Sequence, residues 1–215
     1  MLLSIRRIDV PPGQRVLLRD VTWQEFEGIV DELGEHRATR VAYERGVLEI
    51  MAPLPEHEFS KEIIGDLIKA LLEELDIEFL SLGSTTFKNQ AMLQGIEPDQ
   101  CFYIENESKI RGKKRLDLTQ DPPPDLALEI DVTSRTHPDI YEALKVPELW
   151  RFEKGNLQIN LLEDGSYVVS AQSKNFPNLP VAEVIREYLD LSQTAGRNIA
   201  IRAFRAWVRE RLESS

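Results

Sequence analysis

The stretch GIEPDQCFYIEN, residues 95–106, sets Glu97-Pro98-Asp99 directly before Cys101-Phe102-Tyr103-Ile104, a run that reads as the start of a buried strand. A carboxylate at the mouth of an apolar strand is costly unless something pairs with it. A metal ion answers that need, and so does a plain turn, in which Pro-Asp pairs are common. Working outward, the next strand signal is PDLALEIDV, residues 124–132, after the turn at Asp121-Pro122-Pro123-Pro124. It is mostly apolar on both faces, as a central strand covered on two sides should be. Glu129 in its middle therefore asks for a partner. If the two strands are neighbours, Asp99 and Glu129 converge from one sheet edge. Two oxygen donors completed by water and a substrate phosphate are the usual way of holding Mg²⁺. Asp131 falls on the same strand face as Glu129, since side chains alternate with period two. The structural alternative stays open, because a buried Glu also pairs with Arg or accepts backbone hydrogen bonds.

The remaining chain alternates helix and strand signals. Residues 1–20, with Pro11-Pro12-Gly13, read as an extended arm. Thr22 caps a first helix, WQEFEGIVDELG, with Glu25 as its capping-box partner and Gly34 as the stop. RVAYE and VLEIM, joined at Arg45-Gly46, read as a hairpin. After Pro53 and Pro55, Ile63, Ile64, Leu67, Ile68, Leu71, Leu72 and Leu75 mark one face of a long helix. His57 lies at the N-terminal end of that stripe, while Glu62, Asp66, Lys69 and Glu73 are expected to face water. IEFLSLGSTTF reads as a strand, HPDIYEALK as a short helix, and VPELWRFE, NLQINLLE and SYVVSAQ as three more strands. Helices over roughly 180–190 and 194–213 close the chain. This order gives a mixed α/β domain. The segments assigned are an arm at 1–20, a core at 21–172, and a C-terminal helical extension at 173–215 within the same domain.

A length of 215 residues suits one domain, and 42% hydrophobic with 29% charged residues reads as globular. No window approaches the ~18 apolar residues of a membrane span, and MLLSIRRIDVPPGQ lacks the features of a secretory signal. A cytoplasmic protein with no membrane partner is expected. The single Cys101 excludes an internal disulfide framework and reads as a small buried hydrophobe. A net charge of −11 argues against a protein that coats nucleic acid, though a local basic groove is compatible with it. The basic segments, Lys109 to Arg115 and Arg197 to Arg211, read as solvated surface.

A hairpin ending Gly46-Val47-Leu48-Glu49-Ile50-Met51-Ala52-Pro53, His57 opening the next helix, Glu97-Pro98-Asp99, Pro124 to Ile130, Thr133-Ser134 and Val146-Pro147-Glu148-Leu149-Trp150-Arg151 together resemble the PD-(D/E)XK nuclease superfamily. More narrowly, the chain resembles the Uma-two family, grouped with restriction endonucleases. The likeness spans roughly residues 20–165, and Val-Pro-Glu-Leu-Trp is its most specific part. It implies a restriction-endonuclease-like mixed sheet core flanked by helices, with an N-terminal helix and C-terminal helices. It also implies an endonuclease acting on DNA with Mg²⁺ or Mn²⁺, in which Asp99 and Glu129 match the metal-binding acids.

The departure is at Asp131, which stands where the superfamily pattern has a lysine that positions water and balances charge. Lys145, His137 and Lys61 are the candidate substitutes, so the expected catalytic set is Asp99, Glu129, Asp131, His57 and Lys145. His57 reads equally as a ligand or proton shuttle and as a structural residue. Glu49 is a further acid that could point into the same cleft, though it is expected to face solvent, and Trp150 and Tyr141 are expected to pack. A catalytically degenerate nuclease fold that binds or regulates is the alternative. An apolar stripe from Ile199 to Leu212 leaves a homodimer open.

Overall fold

The computed structural model describes residues 5, 8–34, 39–131 and 137–213. Among these, the strands form two sheets. The first holds β1 (Arg15–Leu18), β2 (Arg40–Glu44), β3 (Val47–Met51), β5 (Phe87–Asn89) and β6 (Gln94–Ile96), in the order β1-β3-β2-β6-β5. The second holds β4 (Leu80–Ser81), β7 (Gln100–Tyr103), β8 (Leu126–Ile130), β9 (Glu148–Glu153), β10 (Asn156–Glu163) and β11 (Ser166–Ser170), in the order β11-β10-β9-β8-β7-β4. Among the described residues the strand pairings are antiparallel except that of β8 with β9. The fold is mixed α/β, two sheets flanked by helices, as the sequence reading expected.

The helices form where local signals place them. Thr22 caps α1 (Trp23–Leu33) with a full capping box: its hydroxyl accepts from Glu25 N at 3.3 Å, and Glu25 accepts from Thr22 N at 2.8 Å. Pro55 opens α2 (Pro55–Glu74), where a missing N–H costs nothing. The apolar stripe of α2 packs on one face of the second sheet together with α5 (Val181–Ala195) and α6 (Arg197–Glu213). The opposite face of that sheet is covered by a second cluster that includes Tyr141 and Leu144 around α4 (Pro138–Ala143). A short helix, α3 (Glu107–Ile110), follows β7. β8 lies between β7 and β9 with Leu126, Ala127 and Leu128 fully buried, which explains its near-continuous apolar run.

Within the arm, Arg15–Leu18 is extended and adds a strand to β3. Several expectations are corrected. IEFLSLGSTTF is not one strand: it divides into β4 and β5, which belong to different sheets. The outward face of α2 meets water at Glu62 and Glu73, as expected, but it also carries ion pairs to α6. Arg197 pairs with Asp66 at 2.7 Å, Arg205 with Glu73 and with Glu74 at 2.9 Å, and Arg209 with Glu74 at 2.6 Å. Much of the basic charge of α6 is thus spent on α2 rather than solvated. Thr133 and Ser134 lie outside the described residues.

Glu148, the acid of the Val-Pro-Glu-Leu-Trp stretch, is fully buried and structural. It accepts from Trp150 Nε1 at 2.5 Å, and from the backbone of Lys174 and Asn175 at 3.0 and 3.2 Å. That pins the chain after β11 to the sheet. Cys101 is buried as expected, and its thiol is pushed up to about 12 by that burial, so it is no nucleophile. Among the described residues no helix is long and apolar enough to cross a membrane.

Gly95 in β6 is required by close approach. A Cβ there meets the ring of Phe26 at 2.8 and 3.0 Å, and that ring is stacked on Tyr43 at 4.5 Å and cannot easily retreat. Gly95→Ala should therefore lower stability by about 1–3 kcal/mol through overpacking, read from the urea unfolding midpoint.

Candidate active site

Asp99, immediately before β7, is almost fully buried, and the protein pairs it from three sides. Its Oδ2 accepts from the backbone N–H of Ile130 at 2.8 Å and lies 3.0 Å from His57 Nε2. Its Oδ1 faces Arg40 Nε at 3.5 Å, beyond a good hydrogen bond. The carboxylate at the mouth of the apolar strand is thus neutralised by an imidazolium, a guanidinium and a backbone donor. His57 is completely enclosed, with Nδ1 3.4 Å from Glu58 Oε1. Neither ring nitrogen is aligned for a hydrogen bond, so these are ion-pair contacts. Burial opposes the charged ring, but Asp99 and Glu58 outweigh it and raise His57 to about 9. His57 holds Glu58 in turn at about 2.

Glu129 sits in β8, and its carboxyl lies close enough to Asp99 for the two charges to interact. It keeps some solvent contact at a cavity wall, yet the surrounding protein and then the Asp99 charge push it well above the usual carboxylate range. The Tyr141 hydroxyl, fully buried, donates to Glu129 and opposes that rise. Tyr141 is therefore not merely a packing residue. Asp99 and Glu129 share a cavity of about 40 Å³ with Arg40, Glu49, Glu97 and His137, room for a few water-sized groups. A larger neighbouring cavity of about 580 Å³, which shares Arg40 and Glu97, adds Glu58, Lys61 and Ser84.

The other expected site residues are dispersed. Asp131 is on the same face as Glu129 but is held by Arg151, through Nη2 at 2.5 Å and Nε at 3.1 Å. Lys145 is exposed beyond the end of α4, turned out by a left-handed backbone, φ 60°, and the structure does not bring it to the cavity. Lys61 donates to Glu58 and lies 3.4 Å from Glu62. Glu49, expected in solvent, is buried instead, 3.1 Å from Arg15 Nη1 and 3.6 Å from His137 Nε2. Arg40 and Glu58 were not foreseen. Only their place beside the Pro-rich opening of α2 hinted at them.

Among the described residues no group of three or more His, Cys, Asp or Glu side chains stands ready to hold a metal ion. Two hard carboxylates side by side, one of them raised in proton affinity by burial and by the other's charge, nevertheless fit a divalent cation. Asp99 and Glu129 would hold such an ion, with water and phosphate completing its shell.

The sequence pattern of the family described as "Uma2: Putative restriction endonuclease" matches residues 23–193. The chain belongs to the Uma2 family. Among solved structures it is similar to a chain described as a "putative nuclease belonging to DUF820" from Anabaena variabilis ATCC 29413. That likeness has a TM-score of 0.45 and 12% identity, covering 60% of this chain and 75% of that one. No curated protein matches the chain.

The raised value of His57 makes a pH-dependent contribution to stability in this Uma2 protein. A group whose folded pKa rises from 6.5 to about 9 contributes stability that is complete below 6.5 and lost as pH climbs through about 9. Urea unfolding followed from about pH 6 to about pH 10 should show that decline in the native chain, and His57→Gln should flatten it.

Proposed function

We propose that this protein is a Mg²⁺- or Mn²⁺-dependent endonuclease that hydrolyses phosphodiester bonds in DNA, with Asp99 and Glu129 holding the metal. The observation that carries this reading is the meeting of those two carboxyls where β7 and β8 pair, at the wall of a solvent-reaching cavity. Membership of a family described as restriction endonucleases supplies the reaction class.

A bound divalent cation supplies polarisation of the phosphoryl group and a more acidic water. The chain's own residues fix the carboxylates. Ile130 N–H and His57 both act on Oδ2 of Asp99, leaving Oδ1 as its less engaged edge. His57 is a positioning residue, enclosed between Asp99 and Glu58. Tyr141 sets the orientation of Glu129. In hydrolysis a water oxygen bonds to phosphorus as the bond from phosphorus to the leaving sugar oxygen breaks. That oxygen keeps the electron pair and takes a proton, while the water gives one up.

One observation favours a second reading, a nuclease fold that binds without cutting: Asp131 is bonded to Arg151 where the superfamily has its lysine. Plasmid nicking separates the two. In the first reading the native chain nicks supercoiled DNA with Mn²⁺, and Glu129→Gln lowers cleavage by about a hundredfold or more while remaining folded. Asp99→Asn should weaken Mn²⁺ binding by at least tenfold in calorimetry, and undiminished binding there removes the assignment of the metal site. A native chain that binds Mn²⁺ yet nicks no DNA supports the second reading.

A further inference from the structure

We propose that His137, held by Glu49, supplies the positive charge that meets the scissile phosphate, the task for which position 131 has no lysine. This deepens the nuclease reading and rests on it.

Most cations around the cavity are held by acids or turned away from it. Arg151 is committed to Asp131, and Lys145 faces solvent at the far end of α4. Lys61 lies between Glu58 and Glu62, and Arg40 spans Asp99 and Glu58 at 3.5 Å each. His57 is closed off from solvent between Asp99 and Glu58. His137 differs from all of these. It precedes α4, its side chain is 36% exposed, and it lines the same small cavity as Asp99 and Glu129.

Its Nε2 is buried, has no hydrogen-bond partner among the described residues, and lies 3.6 Å from Glu49 Oε2, too far for a good bond. That leaves an N–H donor at the cavity with capacity to spare. Glu49 is itself held by Arg15 at 3.1 Å, so the pair is anchored through β1 and β3 rather than drifting with a loop. The Glu49 carboxylate raises the imidazole's affinity for its proton, with Glu44 adding to it and burial and Arg15 opposing. A protonated ring offers one charge and two N–H donors, as a phosphate requires. Glu49, the cavity acid that faces this cation at 3.6 Å, is on this view the holder of His137 and not a metal ligand.

The test compares His137→Gln and His137→Lys in full-length chain with Mn²⁺ and supercoiled plasmid. The glutamine variant should lose about a hundredfold in kcat with KM within a few-fold, and with Mn²⁺ affinity and melting temperature unchanged. The lysine variant, restoring the charge, should recover to within about tenfold of the native rate. Glu49→Gln leaves the imidazole in place without its holder and should cost about tenfold, which keeps the idea testable if the glutamine variant folds poorly. Native-rate cleavage by His137→Gln, or a lysine variant as inactive as the glutamine one, overturns the assignment while leaving the nuclease reading intact. A native chain that cuts nothing overturns both.

Discussion

The carboxylate of Asp99 is the joint on which the arrangement depends. It precedes β7, accepts from the backbone of β8, and faces a histidine of α2 and an arginine of β2. One side chain thereby ties the second sheet to the first and to the longest helix. Buried charges cost free energy to desolvate, and removing one member of such a group typically destabilises by about 3–5 kcal/mol because the others stay buried without compensation. The cluster is therefore a poor means of gaining stability. It is a good means of fixing where an acid points, since turning Asp99 away would leave His57 and Arg40 to Glu58 alone.

Glu129 obeys the same constraint from the other side. Two adjacent carboxyls in a partly dry site cannot both ionise cheaply, and burial together with the neighbouring Asp99 raises Glu129 well above the usual carboxylate range. Tyr141 partly offsets this by donating to Glu129. The pair is a strained electrostatic arrangement in the chain alone, relieved by any species that brings positive charge between the acids. That is why the proposed metal assignment rests on electrostatics as much as on likeness to a family.

Much of this fold was legible in the sequence because its signals are local. The capping box at Thr22, the seven-residue apolar stripe of α2, the hairpin at Arg45-Gly46 and the apolar run of β8 each follow from contacts within a few residues, and each forms. What escaped was set by distant partners. β4 has two residues and β6 three, too short for alternation to register, and only pairing with β7, β2 and β5 makes them strands. Glu49 looked solvent-facing because period two was assumed for an edge, whereas β1 covers β3 and four successive residues of β3 are buried. Lys145 looked helical and inward, but α4 ends at Ala143 and the backbone reverses hand. Asp99 and Glu129 came together as the sequence spacing suggested, while Arg40 and Glu58 lie too far apart in sequence to be read as a pair.

Charge accounting bears on how a polyanion approaches such a chain. With a net charge of −11, attraction for phosphate has to be local. In α6, Arg197, Arg205 and Arg209 are neutralised by the acids of α2, and in the loop after β7 Lys109, Arg111 and Lys113 are bonded to Asn106, Glu107 and Asp121. Charges already paired within the protein release fewer counterions when DNA arrives, which weakens the pull of Arg111, Lys113 and these three arginines of α6. Binding energy for a phosphodiester must then come from short-range contacts at the cavity, where Arg40 and His137 face Asp99 and Glu129. A site built this way favours a substrate whose phosphate is already presented to it over one drawn in by the general field of the surface.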